Sequence, residues 1–393
     1  MSDNSIVIVS AARTPMGGLQ GALSAVRAPD LCATAIKATL ERAGLAPEKV
    51  DEVVMGCVLP AGLGQAPARQ ASLGAGISKA AGCTTVNKMC GSGMKAVMLA
   101  HDQIKAGSAK VMVAGGMESM SQSPYLLPKA RTGMRMGHGQ VLDSMFLDGL
   151  EDAYEGGLMG TFAQKTADDY GVTREAMDDF AIGSLQKALA AIENGDFAEE
   201  IVPVTVASRK GEVRVDTDEQ PGNAQLDKIR KLRPAFKKDG TVTAANSSSI
   251  SDGASALLLM SEAEAAHQGL TPLARIKAHA THAQLPAEFT IAPIGAIQKV
   301  LEGAGWDKDE VDLFEINEAF AVVTMLATSE LGLDPGKVNI HGGACALGHP
   351  IGSSGSRILV TLLHALKHQG KRKGVASLCI GGGEATAVAV EML

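Results

Sequence analysis

Ala35-Ile36-Lys37-Ala38-Thr39-Leu40-Glu41-Arg42-Ala43-Gly44-Leu45-Ala46-Pro47-Glu48-Lys49-Val50-Asp51 returns 261 residues later as Ala296-Ile297-Gln298-Lys299-Val300-Leu301-Glu302-Gly303-Ala304-Gly305-Trp306-Asp307-Lys308-Asp309-Glu310-Val311-Asp312, with eight of seventeen positions identical. In each copy an apolar pattern at helical spacing stops at Ala-Gly, and Val-Asp leads into a short apolar strand. Identity at a fixed offset, on both sides of a helix stop, predicts one supersecondary unit used twice.

The segments around the first copy alternate. Ile6 to Val9 reads as a strand, Pro29-Asp30 to Ala43-Gly44 as a helix, Val53 to Met55 as a strand and Pro67 to Leu73 as a short helix. Thr84 to Val86 is another strand, a helix follows Cys90, and Lys110 to Ala114 is a strand closed by Gly115-Gly116. Such alternation implies a mainly parallel sheet covered by helices. Continuing the internal alignment pairs Gly91-Ser92-Gly93 with Ser353-Ser354-Gly355, and Val113-Ala114-Gly115-Gly116 with the stretch ending Cys379-Ile380-Gly381-Gly382.

The second half runs from Gly383 straight into the strand Ala385 to Val390. Its counterpart, Ala254 to Met260, lies well over a hundred residues after Gly116, so a long segment is inserted in the first half. The division expected is a first half of residues 1–117 plus 250–270, an inserted loop domain of 118–249, and a second half of 271–393. The insertion has Met- and Gly-rich turns, two helices between Gly160 and Asn194 and a hairpin-like Val202 to Val215. Long excursions from a regular scaffold commonly carry function. Lys228, Arg230, Lys231, Arg233, Lys237 and Lys238 gather within it, either as a solvated face or as a seat for an anionic substrate group.

Composition narrows the classes. With 393 residues and 46% hydrophobic content the chain has ample material for a large core, but aromatics are only 3% and the net charge is −7, which argues against nucleic-acid binding. Its six cysteines contain no C-x-x-C pair, so their spacing indicates neither a zinc site nor a disulfide framework, and reduced thiols in the cytoplasm are expected. The start of the chain, Met1 to Val9, has no basic region ahead of its apolar run, and no apolar run reaches the roughly 20 residues of a membrane span. The ending Glu391-Met392-Leu393 is not a peroxisomal tripeptide.

Four residues suggest chemistry. Cys90 sits at the mouth of the helix that carries Val97 to Ile104, where orphan N–H groups and the positive dipole end are expected to favour a thiolate. In open α/β sheets ligands bind outside the carboxyl ends of strands, and that edge should gather Cys90 with three stretches of the second half. These are Asn317-Glu318-Ala319-Phe320, Gly348-His349-Pro350 and Cys379 with the glycines after it. An imidazole can take a proton from one thiol, a second thiol can shuttle another, and an amide with backbone N–H groups can hold an oxyanion. No metal is needed. A dinucleotide-binding reading of Gly91-x-Gly93, with Ala96 third, lacks the acidic ribose ligand after the next strand, where Gly115-Gly116 stands. A non-catalytic scaffold would have no use for all four residues.

At these residues the sequence resembles the thiolase family over its whole length. Val86 to Gly93 resembles the family's nucleophile block, Asn317-Glu318-Ala319-Phe320 its Asn motif, Gly342 to Gly352 its His motif, and Cys379-Ile380-Gly381-Gly382-Gly383 its second-cysteine motif. The resemblance implies duplicated βαβ halves in a five-layered α-β-α-β-α arrangement, an inserted domain that binds coenzyme A, and a homotetramer. It implies that Cys90 is acylated, His349 activates it, and Cys379 handles the α-proton of the second acyl group. One oxyanion hole would combine His349 with a water on Asn317, and the other the N–H groups of Cys90 and Gly381. Ser248 matches a position on the pantetheine arm and Met159 one in the acyl pocket, with Ala319 and Phe320 beside them. Arg230, Lys231 and Arg233 are the cations expected to bind substrate. CoA thioesters are the implied partners, and no cofactor beyond CoA, a substrate and product, is implied. Cys90-Gly-Ser-Gly and Gly64 to Gln70 resemble the acetoacetyl-CoA branch, with a broad-chain 3-ketoacyl-CoA enzyme as the alternative. Leu158 departs from that branch, where many members carry His, and Glu219-Gln220-Pro221 lacks an Arg that some relatives place near the nucleotide.

Overall fold

The computed structural model describes residues 5–208 and 211–393; residues 1–4, where the chain-start reading falls, and 209–210, the turn of the expected hairpin, lie outside them. The repeated stretches adopt the same structure for the same reasons. The helices Ala28–Ala43 and Ala292–Ala304 both end on a left-handed glycine, Gly44 and Gly305, each at φ 67°. The next residue's N–H reaches back to close the turn, Leu45 to Leu40 at 3.1 Å and Trp306 to Leu301 at 3.0 Å, the pattern of a Schellman cap. Each copy then ends in a carboxylate clamp. Asp51 Oδ2 accepts the N–H groups of Lys110 and Val111, both at 2.9 Å, while Asp312 Oδ2 accepts those of Arg372 at 3.0 Å and Lys373 at 2.9 Å. The conserved letters of the repeat are thus a helix stop and the tie that sets one strand beside the next.

Among the described residues a ten-stranded sheet results. Its main strands run in the order Leu313–Ile316, Lys373–Ile380, Glu384–Met392, Ala274–Ala283, Ile6–Arg13, Ser251–Ser261, Val111–Ser119, Glu52–Gly56 and Gly82–Val86. The halves join where Val7 and Ile8 pair antiparallel with Arg275 and Ala274. Ala28–Ala43 and Pro67–Gly74 cover one outer face with a Leu, Ile and Met core, and Ala292–Ala304 and Ala321–Glu330 cover the other. Between the halves lie the Cys90 helix, Ser92–Lys105, and the His349 helix, Ile351–His368, which is buried almost throughout. Counted across, these are the five layers.

Two expectations change. The sheet is mixed: among the described residues only the strand pairings of Glu52–Gly56 with its two neighbours and of Leu313–Ile316 with Lys373–Ile380 are parallel. The insertion leaves and re-enters at one end, with Ser119 opposite Asp252, and Gly381-Gly382-Gly383 turns the chain directly back, so both return strands must run antiparallel. Gly115 and Gly116 also do not close their strand, which continues to Ser119. They lie inside it because a Cβ on Gly116 would stand 2.0 Å from Gly352 O, and one on Gly115 2.0 Å from Ser255 O. The two central helices cross just as closely: Gly93 faces Ser356 and Gly355 faces Met94, so repeat-related residues meet at the middle of the molecule. Among the described residues no helix is long and apolar enough to cross a membrane.

Candidate active site

The Cys90 turn is strained and tied. Met89 takes φ 47°, uncommon for a residue with a Cβ, and is held there by Asn87 Oδ1, which accepts its N–H at 2.9 Å. Ser92 Oγ donates to Met89 O at 2.6 Å and accepts the Lys88 N–H at 2.8 Å. Gly91 must lack a side chain because Ile380 occupies the space its Cβ would fill. The result presents Cys90, half-buried, just ahead of the first helical turn at Ser92. The expected thiolate is not its resting state: burial pushes the Cys90 thiol up to about 11, against the pull of N–H groups donated to the sulfur by Gly381 and by Cys90 itself, with the nearby Glu118 adding to the rise. Desolvation here outweighs the helix end.

Gly348, at φ 106°, turns the chain so that His349 precedes its helix, and Ser251 Oγ fills the space that a Cβ there would need. His349 is anchored on both sides. Its N–H reaches Ser249 O at 3.2 Å and Ser251 Oγ at 3.1 Å, and its Nδ1 is 2.5 Å from Ser354 Oγ. Ser354 Oγ also donates to Pro350 O at 3.0 Å, so a hydroxyl with one hydrogen meets Nδ1 as an acceptor, which places a proton on Nδ1 and a lone pair on Nε2. That Nε2 is buried with no hydrogen-bond partner among the described residues. Burial, helped by the charge of Arg357, lowers its pKa to about 3, so the ring is neutral and ready to accept.

Asn317 lies in the turn between its strand and the helix that begins at Ala321 behind Phe320. Its N–H bonds Ser377 O at 3.0 Å, its Oδ1 accepts from Arg357 Nη2 at 3.3 Å, and its Nδ2 is left buried without a partner among the described residues. Cys379, one residue before the end of its strand, is fully buried, and burial above all pushes its thiol well above the usual range, with Cys90 close enough to add to the rise. The contact of Ile380 with Gly91 and the closeness of Cys90 to Cys379 bring the second-half strand end to the first-half turn. Ile250, paired with His349, packs in the same apolar cluster as Cys90 and Ile351.

A cavity of about 510 Å³ opens over this point, lined by Met89, Met159, Gly381 and Gly382. Met159 Sδ lies 3.5 Å from where a Gly381 Cβ would be, and Leu158 caps the helix Met159–Asp169 beside it. Ser248 is on the Asn317 side, its N–H and hydroxyl both bonded to Ala319 O at 2.9 and 3.0 Å. Phe320 pairs with Ser247 and stacks edge-on with Phe236, whose ring in turn covers Gly160. A second groove, about 360 Å³, runs past Lys228, Leu232, Ala245 and Ser249. The basic cluster is less bare than its sequence suggests, because Arg230 pairs with Asp179, Lys231 with Asp227 and Lys237 with Asp168, all on the surface.

Three residues of this region lie outside the motifs. Ser354 fixes the His349 tautomer five positions downstream, Arg357 orients Asn317, and Glu118 joins the loops by accepting N–H groups from Val58, Leu59 and Gly352 at 3.0, 3.1 and 2.9 Å. Burial pushes the Glu118 carboxyl up to about 7 despite those donors. Ser354 corresponds to Ser92 in the internal repeat, but only tertiary structure shows which way it faces.

Known proteins match both halves of the chain. The family described as Thiolase, N-terminal domain matches residues 6–263, and Thiolase, C-terminal domain matches residues 270–392. The acetyl-CoA acetyltransferase of Cupriavidus necator is 52% identical over 388 residues, covering 98% of this chain and 99% of its own, and that of Escherichia coli is 52% identical over 389 residues with the same coverage. The crystal structure of the Bacillus anthracis acetyl-CoA acetyltransferase superposes with a TM-score of 0.97 at 42% identity, covering 99% of both chains. Matched through both halves and along nearly its full length, the chain belongs to the thiolase family.

Proposed function

We propose that the protein is an acyltransferase that condenses two acetyl-CoA molecules to acetoacetyl-CoA and CoA, and runs the reverse thiolysis, through an acyl group carried on Cys90. In the first half-reaction the Cys90 sulfur attacks the acetyl carbonyl while its proton passes to His349 Nε2. The bond to CoA breaks, and CoA leaves with that proton. In the second half-reaction Cys379 gives its own proton to water and, as its thiolate, takes a proton from the methyl carbon of another acetyl-CoA; water returns a proton to it when the cycle closes. The carbanion attacks the acyl carbonyl, Cys90 leaves, and the proton held by Cys379 returns to it. Cys90 and Gly381 N–H groups stabilise one developing oxyanion, and His349 with a water on Asn317 Nδ2 the other.

The observation that carries this reading is the meeting of the Cys90 turn with the Gly381-Gly382 turn at one cavity, with Ile380 beside Gly91 and with Met89 and Gly381 lining the same opening, which supports the N–H groups of Cys90 and Gly381 as donors to an acyl group on the sulfur. Met159, Ser248, Ala319 and Phe320 then line the thioester's path. Arg230, Lys231 and Arg233 seat the anionic end of CoA, and residues 118–249 act as the CoA-binding and oligomerisation domain between halves of 1–117 plus 250–270 and 271–393. Exposed apolar side chains on that insertion, among them Met136 at 96% and Val141 at 61%, support burial against sister subunits in a homotetramer. Six free cysteines favour the reducing cytoplasm.

Initial-rate kinetics test the route: parallel lines for the two substrates support it, and intersecting lines that require a ternary complex overturn it. Ranking kcat/KM from C4 to C16 substrates tests the substrate. Leu158, where many acetoacetyl-CoA relatives carry His, favours a broad-chain enzyme as second reading, and a preference for long chains would establish that instead.

A further inference from the structure

At the far end of the Cys90 helix, three possible metal ligands converge. His101 Nδ1 lies 2.9 Å from Asp102 Oδ1 and 3.2 Å from His279 Nε2, and His279 Nε2 lies 2.9 Å from the same Asp102 oxygen. Among the described residues this is the one group of three or more His, Cys, Asp or Glu side chains brought together in this way. The two imidazoles are nearly perpendicular, at 85° with centroids 4.9 Å apart, so they meet by an edge and do not stack. Asp102 is 53% exposed, which leaves the open side of the triangle to solvent, while His101 is buried and His279 mostly so.

Hydrogen bonding serves the three contacts only in part. Each facing ring nitrogen offers at most one N–H, so either both N–H groups turn to Asp102 and the two nitrogens face each other at 3.2 Å with no proton of their own, or one N–H is shared between two acceptors. A cation resolves this by taking a lone pair from each atom. The geometry is right for one: the circle through the three donors has a radius of about 1.7 Å, so an ion roughly 1.2 Å above their plane makes all three bonds at the ~2.1 Å of a metal–imidazole contact. We infer that His101, Asp102 and His279 form a binding site for a divalent transition-metal ion, with water in the remaining positions. Oxygen-only ions such as Mg²⁺ are disfavoured by the two nitrogen ligands. The site draws His101 and Asp102 from the first half and His279 from the second, so the ion ties the two halves together. It lies about ten residues along the helix from Cys90, on the order of 15 Å, and is separate from the thiol site.

Equilibrium dialysis against Zn²⁺ tests the inference, with the parent, His279→Gln, Asp102→Asn and Cys90→Ser enzymes side by side. Both site variants are expected to keep thiolysis activity without metal, which shows them folded, and to bind Zn²⁺ at least about tenfold more weakly than the parent. Cys90→Ser is expected to bind as the parent does. A visible Co²⁺ spectrum free of the near-ultraviolet thiolate band supports a site of nitrogen and oxygen donors. Parent-like affinity in both site variants, or loss of binding in Cys90→Ser alone, overturns it.

Discussion

Iodoacetamide reports the resting state of Cys90 and separates two ways a thiol can be activated. If thiol and imidazole formed an ion pair at rest, the alkylation rate would be flat across the neutral range, because the thiolate would already be present. The structure predicts otherwise. Burial pushes the Cys90 thiol up to about 11 and holds His349 down to about 3, so both groups are neutral between those values. A thiol of that acidity is ionised to about one part in a thousand at pH 8, and the ionised share grows about tenfold for each pH unit. The assay is alkylation of Cys90 from pH 7 to 10, followed by mass spectrometry of its peptide in a Cys379→Ser background that removes the second thiol. The expected profile rises close to tenfold per unit with no plateau below pH 10, and the slope survives His349→Asn. A plateau reached by pH 8 would refute the reasoning, because it requires a thiolate that burial here forbids.

Other perturbations act on packing, on the second step and on binding. Gly116→Ala drives a methyl group to 2.0 Å from Gly352 O, more than 1 Å inside ordinary contact, so the His349 helix must shift away from the Cys90 turn. A cost of about 3 kcal/mol in urea denaturation and a large fall in kcat are expected, and parent-like values in both would contradict this packing account. Cys379→Ser should leave acetylation of the enzyme by acetyl-CoA in place while stopping carbon–carbon bond formation, a separation that single-turnover kinetics can read. Replacing Arg230, Lys231 and Arg233 together should raise KM for CoA substrates with kcat little altered and flatten the dependence of KM on salt. An unchanged KM and salt response would leave that cluster a solvated face.

The repeat of Ala35 to Asp51 made the duplication legible because its identities are local: a glycine that must turn left-handed and an aspartate that clamps two neighbouring N–H groups. The four chemical residues were legible because the family motifs surround them. Direction of the return strands was not, since strand polarity depends on where the insertion re-enters. Gly115 and Gly116 misled as strand ends because a glycine required by the approach of another backbone reads like one required by a turn. The protonation of Cys90 was misjudged because a helix start is written in the sequence and the desolvation of its sulfur is not. His279 meets His101 and Asp102 across more than 170 residues, beyond the reach of any spacing rule.

The most direct test of the acyl-Cys90 intermediate is to incubate the enzyme with acetyl-CoA alone, quench in acid and map the acetyl group by peptide mass spectrometry. One acetyl group per chain on the Cys90 peptide, absent in Cys90→Ser and discharged by added CoA, is the predicted result. An acetyl group on Cys379 instead, or no labelled enzyme under conditions where acetoacetyl-CoA forms, would contradict it.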